Sequence, residues 1–281
     1  MREEISTCGH ELKPVPVEQR GKHLVVDIHA HLNVPSADAM IRSEFPNPPN
    51  PMAFMSPASM KVNGAMFGEI GKKLNGVDDR IADMDRLGVD MQAISPSPGQ
   101  YYYYAPPDLG RDAARAINDG IADAVGRHPD RLTGLGTVPL QNTEMAVTEL
   151  RRCVNDLGLR GVEIGTIVNG DELANDRLRP FFAAAEELGV LLFMHPLGFS
   201  HGERLAEHYL DNIIGNPLET SIALSHLIFG GVLDSYPGLK LSARLLGADG
   251  SRLSGTRRLS PTYQPRTFQL SEASLAGYTG V

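Results

Sequence analysis

The chain has 281 residues, a formal net charge of −8 and two cysteines, enough for one large domain or two small ones. The acidic balance argues against a nucleic-acid partner, and no apolar run approaches the ~18 residues of a membrane span. Residues 1–21 lack the apolar core of a signal peptide, and Cys8 with Cys153 makes no disulfide framework, so a cytoplasmic protein is expected.

After a polar leader over 1–21 with Pro14 and Pro16, the first patterned stretch is Val25-Val26-Asp27-Ile28-His29-Ala30-His31. On a strand, residues two apart share a face, so His29 and His31 project together with Cα atoms ~6.5 Å apart, close enough for two imidazoles to meet one ion. Residues 32–77 then read as a long insertion, rich in Pro, Met and Gly and without regular structure, of the kind that serves as a lid. Its lysines Lys61, Lys72 and Lys73 are solvated by default and anion contacts by exception.

From Asp78 the periodicity is regular. Ile81, Met84 and Leu87 share a helical face that stops at Gly88, and a strand follows over 89–95. A Pro/Gly loop carries Tyr101, Tyr102, Tyr103 and Tyr104, either lining a pocket or packing beneath the lid. A helix over 108–128 leads to a third strand over 131–139. A helix over 143–157, capped by Thr143 and ended by Gly158, leads to a fourth strand over 161–166. A helix over 176–188 stops at Gly189, and the fifth strand, 190–196, is apolar throughout, as when helices cover both faces of a sheet. Helices are expected over 203–211 and 217–236. His226 falls in the second of these as a packed or capped core residue, and a sixth strand begins at Leu239.

Five strand–helix alternations predict a parallel α/β fold. In such folds chemistry gathers at the C-terminal strand ends. His195 ends the fifth strand as His29 and His31 end the first, which makes the three histidines a candidate shared metal site.

The ordered set Asp27-Ile28-His29-Ala30-His31, Arg80-Ile81-Ala82-Asp83-Met84-Asp85, Gly134-Leu135-Gly136-Thr137-Val138-Pro139, Gly161-Val162-Glu163-Ile164-Gly165-Thr166, Met194-His195-Pro196 and Asn216-Pro217-Leu218-Glu219-Thr220 resembles the 2-amino-3-carboxymuconate-6-semialdehyde decarboxylase branch of the amidohydrolase superfamily. The resemblance covers 24–241 and implies a (β/α)8 TIM-barrel type of α/β fold, with strands one to five and part of six recognisable. It implies a divalent metal, most often Zn2+, on His29, His31 and His195, with no organic cofactor. It also implies non-oxidative removal of carbon dioxide from a small carboxylic acid, a carboxylated muconate semialdehyde or related aromatic acid. Hydrolysis or hydration by the same kind of site, and a non-catalytic member that keeps the three histidines, are the alternatives. A homo-oligomer stays open.

Two departures from the family pattern stand out. The family's lid arginine, which grips the substrate carboxylate, has no counterpart near 68–73, where Lys72 and Lys73 are the substitutes. After strand six the family's Ala-His-Gly-Gly-Gly run, with its acid–base histidine, is replaced by Ser242-Ala243-Arg244-Leu245-Leu246-Gly247. The stretch 242–281 also lacks the family's last aspartate ligand at a strand end, and reads as an atypical tail, replaced for instance by a reading-frame change. No catalytic acid–base residue is therefore assigned. The domain plan is a leader (1–21), a partial barrel (22–241) with its lid (32–77), and this tail (242–281).

Overall fold

The computed structural model describes residues 24–243; the leader and residues 244–281 of the tail lie outside the described residues. In chain order the elements are β1 (Val26–His31), α1 (Pro35–Glu44), α2 (Pro57–Leu74), α3 (Asp78–Leu87), β2 (Met91–Ser95), α4 (Pro107–Arg127), β3 (Leu132–Gly134) and α5 (Thr143–Asn155). There follow β4 (Gly161–Ile164), a small hairpin of β5 (Ile167–Val168) and β6 (Asp171–Glu172), α6 (Arg179–Leu188), β7 (Leu191–Met194), α7 (Asn216–Phe229), α8 (Val232–Ser235) and β8 (Lys240–Ala243). Among the described residues no helix is long and apolar enough to cross a membrane.

The strands form two parallel sheets, β1-β2-β3 and β4-β7-β8. Gly136 joins them: its N–H donates to the Gly161 carbonyl at 2.9 Å, and its carbonyl accepts the Glu163 N–H at 2.8 Å. The result is one curved run of parallel strands with helices outside, a TIM-barrel-like α/β arrangement. The core lies between strands and helices. Ile117 and Ile121 of α4, Leu150 of α5 and Phe181 and Phe182 of α6 are fully buried there with Ile94, Val162 and Leu192 from the strands.

Gly88 and Gly189, the expected stops, end α3 and α6 at φ of 71° and 61°. Other expectations need correction. The insertion is not structureless: Pro at a first helical position opens both α1 and α2, and Ser56 caps α2 through the Ser59 N–H. Asn142, not Thr143, caps α5, and the Thr143 hydroxyl donates to the Arg177 carbonyl instead. Leu87 is half exposed, so the apolar face of α3 rests on Met84. The helix expected over 203–211 is a short 3-10 turn at Gly202–Leu205 with a π-helical turn after it at Asp211–Gly215. The helix expected over 217–236 breaks at Gly230-Gly231 into α7 and α8. His226 is not a core residue; it is half exposed in the last turn of α7, 3.5 Å from Glu172.

A bulge near the end of β1 decides which side chains point inward. Asp27 pairs with Gln92 and Ala30 with Ile94, so Ile28 and His29 together oppose the single residue Ala93. The extra residue shifts the alternation by one. Asp27 therefore lies on the outer face, where Gln92 donates to it at 2.7 Å, while His31 pairs with Ser95 on the inner face.

Parallel packing of β4 on β7 leaves no room beside Gly161, where an added Cβ would sit 1.9 Å from the Leu191 carbonyl oxygen. Gly161→Ala must push the two backbones apart, and is expected to cost at least ~2 kcal/mol, as overpacked cores do. Gly126, near the end of α4, has open space at its Cβ position. Gly126→Ala should stabilise by up to ~1 kcal/mol, the helix-propensity difference. Denaturant unfolding of the two variants checks both signs.

Candidate metal centre

His29 and His31 leave the end of β1, and His195 follows the last residue of β7. The two strands belong to different sheets, yet the three rings meet. The Nε2 atoms of His29 and His31 lie 3.1 Å apart, as do those of His29 and His195, and the three candidate ligand atoms fall within 4.8 Å of one another. Two metal–nitrogen bonds of ~2.1 Å meeting at a tetrahedral angle span ~3.4 Å, so the spacing matches a shared ion closely. His195 is buried and the β1 pair half-buried.

Backbone carbonyls set the ring orientations. His31 Nδ1 lies 3.0 Å from the Pro96 carbonyl and His195 Nδ1 2.7 Å from the Pro196 carbonyl. A carbonyl only accepts, so each neutral ring carries its proton on Nδ1 and turns an Nε2 lone pair inward. A proton on His29 Nε2 could serve one of these neighbours, not both. A cation among the three nitrogens satisfies all of them, and this donor set suits a divalent transition metal.

Three supports hold the rings in place. The first lies behind β1. Arg80 of α3 donates to the His31 carbonyl at 2.5 Å, to Gln92 at 2.8 Å and to the Lys73 carbonyl at 3.1 Å. Burial lowers its pKa, opposed by Asp27 and then Asp83. The second lies after His195, where polar groups from the next helical segment hold the backbone. Gly198 N–H donates to Asn216 and Phe199 N–H to Asp211, both at 3.0 Å; Ser200 gives its N–H and hydroxyl to Glu219, both at 3.1 Å. Burial raises the Asp211 carboxyl above its ordinary range, opposed by the Phe199 N–H.

The third support is the inner wall. Tyr101 Oη donates to Glu163 at 2.6 Å, lies 3.2 Å from the His195 carbonyl, and its ring stacks on Tyr103 at 5.4 Å. Burial raises the Tyr103 phenol, whose oxygen accepts the Gly165 N–H. Tyr102, at φ 51°, turns outward and donates to Asp38 of α1; its phenol is raised by burial first and by Asp38 second. The tyrosine run therefore serves both the centre and the insertion. Phe193 closes the apolar side, with its ring 5.7 Å from His29 and 6.1 Å from His195.

Of the lysines singled out from sequence, Lys73 is turned to Asp83 in an ion pair at 2.5 Å, and Lys72 is exposed in the last turn of α2. Both precede Leu74, whose carbonyl accepts the Asn33 N–H, so the end of α2 lies beside the chain leaving His31. Sequence reasoning left Glu163, Asp211 and Ser95 without any role. Glu163 and Glu219 stood inside motifs that carried the resemblance, and an acidic residue in an apolar strand was the signal available for Glu163.

A family model described as "Amidohydrolase" matches residues 26–242. The 2-amino-3-carboxymuconate-6-semialdehyde decarboxylase of Dictyostelium discoideum is 40% identical over 184 residues, covering 66% of this chain and 51% of that protein. The chain thus spans about half the length of this curated relative. The structure of 5-carboxyvanillate decarboxylase LigW from Sphingomonas paucimobilis superposes with a TM-score of 0.68 at 26% identity, covering 78% of this chain and 67% of that one. The enzyme of the same name from Novosphingobium aromaticivorans gives a TM-score of 0.69 at 26% identity, over 84% of this chain and 68% of that one. That structure is a complex with manganese and 4-hydroxy-3-methoxy-5-nitrobenzoic acid.

Glu219→Ala should release the backbone after His195 without unfolding the molecule. The Ser200 amide is expected to exchange with solvent at least ~10-fold faster, since a bond to a charged acceptor is worth at least ~1.5 kcal/mol. Hydrogen-exchange mass spectrometry over 196–201 reads this, with the α4 amides as the unchanged control.

Proposed function

The chain belongs to the amidohydrolase family, and from that membership we propose that it holds one divalent ion, zinc or manganese, on His29, His31 and His195. We propose further that it is a metal-dependent carboxy-lyase that removes carbon dioxide, without oxygen, from a small carboxylated aromatic or unsaturated acid. The observation that carries this reading is the convergence of three Nε2 atoms, with the His31 and His195 rings fixed from behind by backbone carbonyls. Similarity to decarboxylases of carboxymuconate semialdehyde and of carboxyvanillate supports the reaction class.

A bound ion would supply Lewis-acid polarisation and a fixed point for substrate oxygens. The chain's own described groups bind and orient the substrate. The histidines enter neutral, so the ion keeps its full positive charge for an anionic substrate. Phe193 gives an aromatic ring an apolar surface to rest against and keeps water from that side, which strengthens every charge interaction nearby. The 32–77 insertion, through α2, covers the mouth, and Lys72 draws the incoming carboxylate toward it as a mobile point charge. The same reading takes the parallel strands as the part of a (β/α)8 barrel that carries three of the ligands.

Metal analysis and a carbon dioxide assay test the proposal together. Purified protein should bind one ion per chain, and His29→Ala, His31→Ala and His195→Ala should each weaken binding by at least ~100-fold, as expected when one of three protein ligands is lost. Carbon dioxide release from carboxylated phenols or carboxymuconate semialdehydes should vanish on chelation and return with the ion. Release that is unchanged in His195→Ala, or after chelation, would overturn the reading.

A further inference from the structure

Glu163 is a carboxylate in the middle of β4 with no solvent exposure, surrounded by apolar strand residues. Burying a charge costs several kcal/mol unless it is paired or strongly hydrogen-bonded. One carboxylate oxygen accepts the Ser95 hydroxyl at 2.5 Å, and the other accepts the Tyr101 phenol at 2.6 Å. Those lengths are typical of charge-assisted O–H···O− bonds. The oxygen bonded to Ser95 also lies 3.7 Å from His31 Nδ1, the nitrogen that faces the Pro96 carbonyl at 3.0 Å. Ser95 Oγ stands beside the same nitrogen at 3.5 Å.

We propose that Glu163 is the positioning carboxylate of the metal centre: its buried charge stabilises the Nδ1 proton of His31, leaves Nε2 of that ring as the most electron-rich of the three donors, and raises the affinity for the ion. The inference rests on the three-histidine metal reading and goes beyond it by naming a residue that never touches the ion. Its physical basis is the general coupling by which a carboxylate behind a ligating imidazole fixes the tautomer and increases ligand basicity. The Nδ1 atoms of His31 and His195 each face a backbone carbonyl, and His31 has in addition the Glu163 carboxylate 3.7 Å from its Nδ1. Charge balance points the same way, since a divalent ion on three neutral imidazoles leaves two positive charges in a buried site.

Competition with a chromophoric chelator, using Zn2+ alone as the probe, measures the effect. Glu163→Gln keeps the shape and removes the charge; it should weaken Zn2+ affinity about 10- to 100-fold, the range for lost outer-sphere partners. Tyr101→Phe removes a hydrogen bond and leaves the carboxylate; it should weaken affinity by no more than about fivefold. Binding by Glu163→Gln equal to the parent's, or an equal loss in Tyr101→Phe, would overturn the proposal. Should Glu163→Gln fail to fold, 15N spectra of the parent protein's histidines with Zn2+ bound decide it. His31 and His195 both face a carbonyl through Nδ1, so the His31 Nδ1 must show the larger charge-induced shift of the two, and equal shifts would sink the idea. If the parent binds no Zn2+, the metal reading itself fails and this inference falls with it; a parent that binds normally isolates the test to Glu163.

Discussion

Everything at this site depends on two strands from different sheets delivering imidazoles to one point. β1 and β7 are not neighbours in either ladder, so His29 and His195 can approach to 3.1 Å only if the run of parallel strands curves enough for its inner faces to converge. Gly136 makes the join that allows this curvature, exchanging backbone bonds with Gly161 and Glu163 across the gap between the sheets. Gly161 lets β4 lie close against β7, because a side chain there would strike the Leu191 backbone. The geometry of the three-histidine site is thus set by backbone contacts well below the rings themselves.

The polar groups around the centre divide by what they hold. Arg80 and the outer-face Asp27 and Gln92 hold the end of β1 from the helix layer. Asp211, Asn216 and Glu219 hold the chain after β7 from the far side. Ser95, Tyr101 and Glu163 fill the space between. The insertion is tied in as well. Ser59 of α2 donates to the Ala206 carbonyl at 2.7 Å and accepts the Tyr209 N–H at 3.0 Å, so α2 rests on the segment whose next residues fix the chain after His195. The position of α2 and that of His195 are therefore mechanically connected.

Much of this was legible before any coordinates. Alternating apolar runs and glycine stops gave the strand–helix order, and three histidines at equivalent strand ends pointed to rings that do converge, because period and position follow from local backbone geometry. The losses have physical causes. Pro-rich sequence over 32–77 looked irregular, yet proline at a first helical turn starts a helix rather than breaking one. The 203–211 segment has helical composition, but it runs as a 3-10 turn followed by a π turn, whose Asp211 side chain accepts the Phe199 N–H. His226 sat among apolar residues in sequence and still faces outward, since α7 exposes Ile228 and Phe229 on the same stretch. Long-range partners such as Ser95 and Glu163, 68 positions apart, leave no trace in local pattern.

The bulge in β1 carries a genetic consequence. Asp27, His29 and His31 occupy alternate positions, and any rule of alternation assigns them one face, yet the doubled residue opposite Ala93 sends the aspartate to the helices and the histidines to the interior. Two functions with opposite requirements, an outward carboxylate and inward imidazoles, are written in a single reading of every second codon. Without the bulge, a regular strand of the same length would put Asp27 and both histidines on one face and leave the protein a choice between anchoring Asp27 and presenting its histidines. The doubled position opposite Ala93, rather than any side chain placed there, is what separates the two faces.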